Sequence, residues 1–170
     1  RWPRERLLAL AAGLGADVPF FVFGRAALVG GIGEQLRAID VAPQDYAVVK
    51  PAVSIATAAI FASPVLRRDT PSAILSGSLE SDAVRALTGG FGRNDLQPVA
   101  EAHAPEVAEA ARWLERRFGN SRMTGSGSAV FSSVGAGGPP SATWPADLPP
   151  GWVGRPCRSL PAHPLVHWSD

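Results

Sequence analysis

Cysteine and lysine are almost absent from this sequence of 170 residues. Cys157 is the only cysteine, which excludes an intramolecular disulfide and a cysteine-based metal cluster. Lys50 is the only lysine, so arginine carries almost all of the positive charge, with 16 basic residues against 15 acidic ones. Because no run of basic residues occurs, the sequence offers no face of the kind that binds nucleic acid. The three histidines lie too far apart or too late in the chain to predict a metal site: His103, His163 and His167.

A second absence is a long hydrophobic run. No apolar segment reaches the roughly 20 residues that a membrane-spanning helix needs, and no targeting leader is recognisable. We therefore expect a cytoplasmic protein without a membrane partner.

Hydrophobic residues still make up 46% of the chain, which is enough for the packed core of one domain, or of one domain and part of a second. The pattern of residues 5–12 predicts a helix that begins almost at the first residue, so we expect the chain to begin inside a domain.

Helical and strand-like patterns alternate along the chain, which favours an α/β or α+β fold with two layers over a bundle or a sandwich. Predicted helices cover residues 5–12, 57–61, 80–88 and 105–117. Predicted strands cover residues 18–23, 35–39, 46–50, 129–131 and 152–158. Residues 135–151 are rich in glycine and proline and can hardly hold a helix. We place a domain boundary near residue 34.

Asp17 stands between a glycine-rich helix end and the apolar run at residues 18–23. A charge at such a position is costly to bury unless it is paired or exposed in a cleft. A carboxylate at the mouth of a cleft could accept the proton of an alcohol, or orient that alcohol towards a phosphorus atom. The alternative is a loop aspartate that bonds backbone amides where a helix ends. The residues alone leave both interpretations open.

The segment Thr124-Gly125-Ser126-Gly127-Ser128 lies between two strand-like segments. Neighbouring glycines allow backbone N–H groups to converge on an anion, and serine hydroxyls add further donors. A tight turn between strands would need the same glycines. The segment also lacks the Lys-Ser/Thr ending of a Walker loop and the spacing of a dinucleotide-binding fingerprint. By itself it indicates an anion-binding loop only weakly.

Three other side chains are candidates for a binding role. Thr57 at a helix start and Phe61 one turn later could present a hydroxyl group and a stacking surface to a nucleobase. N-capping by Thr57 and core packing by Phe61 would explain the same pattern equally well. Asn94 precedes another helical stretch, and we predict that it caps this helix rather than taking part in catalysis.

Taken in order, five segments resemble the family of 4-diphosphocytidyl-2-C-methyl-D-erythritol kinases, which belongs to the GHMP superfamily of galacto-, homoserine, mevalonate and phosphomevalonate kinases. The segments are Gly-Ala-Asp-Val-Pro-Phe-Phe at 15–21, Gly-Ile-Gly-Glu at 31–34, Pro51 to Thr57 with Phe61, Arg-Asn-Asp-Leu at 93–96, and Arg-Met-Thr-Gly-Ser-Gly at 122–127. The resemblance runs from about residue 5 to residue 131 and resumes over residues 151–165.

The resemblance implies a two-domain α/β kinase that transfers the γ-phosphate of ATP to the 2-hydroxyl of 4-diphosphocytidyl-2-C-methyl-D-erythritol, with Mg²⁺ as the usual partner of ATP. Family members act in the non-mevalonate route to isoprenoid precursors. Asp17 matches the family's catalytic aspartate, and Thr57 and Phe61 match positions on the cytidine-substrate side. Residues 125–128 match a glycine-rich loop that borders the phosphates. No residue of this chain is assigned as a metal ligand.

Under this resemblance, residues 1–34 are a remnant of the amino-terminal ATP-binding domain and residues 35–170 are the carboxy-terminal, substrate-side domain. The family's main glycine–serine ATP loop, the lysine beside its catalytic aspartate and the aromatics that sandwich cytosine have no counterpart in residues 1–34. We therefore expect a truncated kinase that is inactive alone. One alternative is another GHMP kinase of the homoserine or mevalonate type, which the residues around Asn94 and Asp95 argue against. The other alternative is a non-catalytic ligand-binding remnant.

Overall fold

The computed structural model of the chain describes residues 2–70, 92–135, 145, 147–164 and 166–167. The helix predicted over residues 80–88 lies outside the described residues, as does most of the glycine- and proline-rich segment 135–151. Contacts between residues divide the chain into two units. The first unit contains the described residues up to Pro43 and those from Leu160 onwards, and the second contains the described residues from Gln44 to Ser159.

The first unit consists of two helices followed by a two-stranded antiparallel hairpin. Its elements are α1 (Arg4–Ala12), α2 (Val18–Phe23), β1 (Ala27–Gly30) and β2 (Gln35–Ala38). Ala27 pairs with Ala38 and Gly30 with Gln35, so the chain reverses over residues 31–34. The predicted helix at 5–12 and the predicted strand at 35–39 are confirmed. The division into units by contacts falls after Pro43, and β1 and β2 lie together in the first unit. The domain boundary predicted near residue 34 stays a prediction. The assignment of the two parts to two kinase domains stays a prediction.

The prediction of a strand over residues 18–23 is wrong, because this segment is the helix α2. Pro19 lies in its first turn, where a proline ring has the φ angle of a helix and its missing N–H has no partner to lose. Gly24 ends the helix in the left-handed conformation (φ 73°), and its N–H bonds the carbonyl of Phe20. A run of six apolar residues shows no periodicity that separates a helix from a strand, but the interior proline argued against a strand.

The second unit is built on a four-stranded antiparallel sheet. In chain order the strands are β3 (Asp45–Lys50), β4 (Arg122–Met123), β5 (Val130–Gly135) and β6 (Val153–Arg158), and their order across the sheet is β4-β5-β3-β6. Predicted strands at 46–50, 129–131 and 152–158 are therefore confirmed.

Three helices complete the second unit: α3 (Thr57–Ala62), α4 (Gln97–His103) and α5 (Pro105–Phe118). The pattern predicted for α5 is confirmed, because its apolar side chains are buried as a group: Val107, Ala110, Ala111, Trp113 and Leu114. They join Val49 and Val130 of the sheet in one core. Burial of a valine or leucine side chain stabilises a fold by about 1.5–3 kcal/mol, so α5 and the sheet form the stable frame of this unit. The mixed α and β fold class is confirmed.

Candidate active site

Asp17 lies immediately before α2, in the turn where the Val18 N–H bonds the carbonyl of Gly15 at 3.2 Å. Its side chain is exposed. Within the described part of the chain, the carboxylate accepts no hydrogen bond from a helix amide and forms no ion pair. The interpretation of Asp17 as a loop aspartate that bonds backbone amides is therefore wrong. The charge of Asp17 is available to an external group.

The Asp17 carboxylate borders a cleft of about 320 Å³. The cleft is lined by the turn before α2, by α2 itself and by the β1–β2 hairpin: Ala16, Asp17, Phe20, Phe21, Val29 and Gly33. Asp17 is the only ionisable residue among them, and the walls are otherwise mostly apolar.

Gly33 holds the hairpin close to the backbone that precedes Asp17. Its φ angle is +130°, and a Cβ atom at this position would lie 2.1 Å from the carbonyl oxygen of Ala16. Both the angle and the contact require glycine. The approach of Gly33 therefore determines where the Ala16–Asp17 backbone lies, and it explains a glycine in the motif at residues 31–34.

Glu34 closes the same turn. Its Oε2 accepts a hydrogen bond from the Ile32 N–H at 2.8 Å. Hydrogen bonds from its own backbone N–H and from that of Ile32 lower the pKa of Glu34 from its ordinary value of 4.5. Because the pKa of Glu34 is lower in the folded chain than in the unfolded one, these hydrogen bonds stabilise the fold at pH values above the ordinary pKa. Their contribution is lost as the pH falls through the lowered pKa of Glu34.

In the second unit, Thr57 and Phe61 lie one turn apart on α3 and are both exposed, whereas Ile60 between them is fully buried. Ala56 rather than Thr57 is the N-cap of α3, so the capping prediction for Thr57 is wrong. Phe61 is 50% exposed, so core packing does not explain it either. The Thr57 hydroxyl instead hydrogen-bonds the Ser126 hydroxyl at 2.7 Å. The structure thus brings two predicted site residues, Thr57 and Ser126, into contact.

The glycine-rich loop connects β4 to β5 as a tight turn. The Thr124 N–H bonds the carbonyl of Ala129 at 3.0 Å, and the Gly127 N–H bonds the carbonyl of Thr124 at 3.1 Å. Gly125 (φ +57°) and Gly127 (φ +91°) take conformations that other residues rarely adopt. Over the described residues, no acceptor bonds the amides of Gly125 and Ser126, so these N–H groups can receive an anion.

The hydroxyl group of Ser128 has a different role from that of Ser126. Ser128 is 3% exposed, and its Oγ donates to the carbonyl of Val53 at 2.6 Å. This bond attaches the end of the loop to the chain that follows β3. The Ser128 hydroxyl is therefore used inside the fold, and its predicted place beside a phosphate stays a prediction.

Asn94 lies two residues before Leu96, the N-cap of α4. Its Oδ1 accepts the Leu96 N–H at 3.0 Å and its carbonyl accepts the Gln97 N–H at 3.0 Å, so Asn94 bonds the amides where this helical stretch opens, as predicted. Its Nδ2 donates to two carbonyls that are distant in sequence, those of Met123 (2.9 Å) and Gly125 (2.8 Å). The sequence carries no local signal for these contacts, because the partners lie about 30 positions away and belong to another element.

Metal-binding and membrane-spanning features are missing from the described ranges. Among the residues that the structure describes, no three side chains of the His, Cys, Asp or Glu type lie together so as to hold a metal ion. None of the described helices has the length and apolar character required to cross a membrane.

Comparison with known proteins agrees with this fold. The family described as GHMP kinases C terminal matches residues 76–134. A solved crystal structure of 4-(cytidine 5'-diphospho)-2C-methyl-D-erythritol kinase superposes with a TM-score of 0.56 at 33% identity, covering 74% of this chain and 46% of that one. Residues 76–134 are thus similar to the carboxy-terminal part of GHMP kinases.

Along almost its whole length, the chain is similar to 4-diphosphocytidyl-2-C-methyl-D-erythritol kinases. The relative from Methylibium petroleiphilum is 52% identical over 170 residues, which are 99% of this chain and 57% of the relative. The relative from Variovorax paradoxus is 43% identical over 178 residues, covering 98% of this chain and 59% of the relative. The resemblance recognised in the sequence is confirmed. The chain spans about half the length of the curated relatives that it matches.

Proposed function

We propose that this chain supplies Asp17 and the glycine-rich loop to a kinase that phosphorylates the 2-hydroxyl of 4-diphosphocytidyl-2-C-methyl-D-erythritol, using ATP, in isoprenoid precursor synthesis in the cytoplasm. The observation that carries this proposal is the 52% identity, over 99% of the chain, to a protein named as that kinase. The exposed, unpartnered carboxylate of Asp17 at the edge of a cleft supports the same chemistry.

In this proposal Asp17 is the base. It accepts the proton of the 2-hydroxyl as the hydroxyl oxygen forms a bond to the γ-phosphorus and the bond from that phosphorus to the bridging oxygen breaks. The electron pair of the broken bond leaves with ADP. Because the Asp17 carboxylate has no other partner among the described residues, it can turn towards the hydroxyl without first breaking a hydrogen bond.

The loop of residues 125–128 is proposed to contact phosphate. The amides of Gly125 and Ser126 and the Ser126 hydroxyl fit an anionic oxygen, because fixed N–H donors stabilise charge that develops during transfer. Mg²⁺ would neutralise phosphate charge when bound with ATP, and it commonly binds through substrate phosphates and only one or two carboxylates.

The proposal is tested with a chimera in which this chain replaces the aligned segment, 57% of the length, of the Methylibium petroleiphilum relative. We expect the chimera to transfer labelled γ-phosphate from ATP to 4-diphosphocytidyl-2-C-methyl-D-erythritol. The unmodified relative serves as the positive control, and the 170-residue chain is assayed in parallel. A folded chimera without turnover would contradict the proposal in favour of a non-catalytic remnant. A preference for homoserine or mevalonate would indicate another GHMP kinase.

Phe61→Ala in the chimera is expected to raise the KM for the cytidine-containing substrate about tenfold, because stacking of a base on an aromatic ring contributes about 1–3 kcal/mol. The KM for ATP and the melting temperature should change little, since Phe61 is half exposed. The matched control is Ile60→Ala, which empties a fully buried position on the same helix and should lower stability by about 2–5 kcal/mol. Steady-state kinetics and thermal melts measure both. An unchanged substrate KM would exclude Phe61 from the binding surface.

A further inference from the structure

We propose that Asn94 is a positioning residue, which aims an amide of the glycine-rich loop (residues 125–128) at the bound phosphate. This inference rests on the proposed function for its ligand, but the contacts that carry it belong to the chain itself. The side-chain amide of Asn94 uses both Nδ2 hydrogens and its oxygen: it donates to the carbonyls of Met123 and Gly125 and accepts the Leu96 N–H.

The two carbonyls bonded by Asn94 lie on either side of Thr124, at the entrance to the loop. The carbonyl of Gly125 and the N–H of Ser126 belong to one planar trans peptide unit and therefore point in opposite directions. By holding the Gly125 carbonyl towards itself, Asn94 turns the Ser126 N–H away from itself. This amide has no acceptor among the described residues.

Gln97 supports the same arrangement from the first turn of α4. Its Oε1 accepts the Met123 N–H at 2.9 Å, and its Nε2 donates to Glu101 Oε1 at 2.8 Å. Together, Asn94 and Gln97 bond both backbone groups of Met123. Val99 and Ala100 attach α4 to the core. The loop is thus oriented from a packed helix, which is the arrangement that a precise binding site needs.

Among the described residues, the other bonds that hold the loop come from the hydroxyls of Ser126 and Ser128 and from the N–H of Gly127, and none of them bonds the Gly125 carbonyl. Gly125 and Gly127 have no side chains with which to pack, and their positive φ angles are accessible mainly to glycine. A glycine-rich segment has more conformations to lose on ordering than any other. The side chain of Asn94 therefore holds the Gly125 peptide unit, which no other bond within the described part of the chain restrains through its carbonyl.

The test is Asn94→Asp, which keeps the shape of the side chain but directs a carboxylate oxygen at two carbonyl oxygens. In the chimera we expect the KM for ATP to rise about tenfold, while the KM for the alcohol substrate changes by less than about twofold. In the 170-residue chain we expect amide hydrogen exchange at residues 123–127 to become about tenfold faster. Asn94→Ala removes the donors without the repulsion and should act in the same direction, which covers the case in which Asn94→Asp fails to fold.

The matched control is Asn120→Asp. Asn120 makes three hydrogen bonds of the same kind as Asn94, with other partners, at the other end of β5. Its Nδ2 donates to the carbonyls of Phe118 (3.0 Å) and Ser133 (2.9 Å), and its Oδ1 accepts the Ser133 N–H (2.9 Å). If Asn94→Asp acted only by lowering the stability of the fold, Asn120→Asp would change the kinetics and the exchange in the same way. We expect Asn120→Asp to leave the KM for ATP and the exchange at residues 123–127 unchanged.

The outcomes separate this inference from the proposed function. An Asn94 variant with the kinetics of Asn120→Asp in an active chimera overturns the positioning role. An inactive unsubstituted chimera refutes the proposed function, and the exchange measurement on the chain then decides whether Asn94 orients the loop. Exchange at residues 123–127 that stays unchanged in both Asn94 variants overturns the inference, whatever the kinetics show.

Discussion

Asp17→Asn is expected to lower kcat of the chimera about 10²–10⁴-fold, the usual contribution of a positioned general base. Asparagine has the same shape but accepts a proton far more weakly. The KM values should stay within about twofold, because the change removes an interaction that strengthens only in the transition state. The melting temperature should not fall, since the Asp17 carboxylate is exposed and forms no helix-capping bond.

The control for this variant is Asp40→Asn, the same substitution at an exposed aspartate of the first unit that does not line the cleft. Single-turnover measurements of phosphate transfer are the direct test, because they report the chemical step without product release. Near-normal transfer by Asp17→Asn would remove Asp17 from the chemistry. Equal losses in both variants would indicate that net charge, rather than the position of Asp17, affects the reaction.

Gly33→Ala is expected to lower the free energy of unfolding of the first unit by at least about 2 kcal/mol. The methyl group would strain a backbone at φ +130° and would lie 2.1 Å from the Ala16 carbonyl oxygen, so the hairpin or the residues before Asp17 must move. A displacement of about 1 Å at a reacting group can cost about 10²-fold in rate. We therefore expect kcat of the chimera to fall by a similar factor.

Gly13→Ala is the matched control for Gly33→Ala. Gly13 has φ −76°, and the nearest atom to an added Cβ, the Leu10 carbonyl oxygen, lies 3.4 Å away. Alanine fits such a position and should leave stability unchanged or raise it by about 0.4–1 kcal/mol. Denaturant unfolding and kcat of the two variants measure the difference. If Gly33→Ala matched Gly13→Ala in both, the hairpin would have no part in placing Asp17.

Elements with a long, regular pattern could be predicted from the sequence. In α5, apolar residues recur at helical spacing, Pro105 marks the first turn and Gly119 (φ +77°) follows the last one. Burial of that face then follows from hydrophobicity alone. The strands at the centre of the sheet could be predicted equally well, because their apolar runs are bounded by turn residues.

Shorter segments were decided by their surroundings. The apolar run of α2 has no periodicity that separates a helix from a strand, and only its interior proline favoured the helix. Thr57 fits a helix cap as well as a ligand contact. Its hydroxyl bonds Ser126, which is 69 positions away, so no local pattern could have predicted this choice.

By itself, the sequence determined the family resemblance, the mixed fold class, the amphipathic helix and the candidate residues, because these depend on motifs and periodicities read along the chain. Only the tertiary structure decided that Asp17 has no partner among the described residues, that Gly33 contacts the backbone beside it, and that Asn94 bonds the glycine-rich loop. Each of these depends on distances between residues far apart in sequence. Such distances are set by the packing of whole elements, and composition and spacing do not encode them locally.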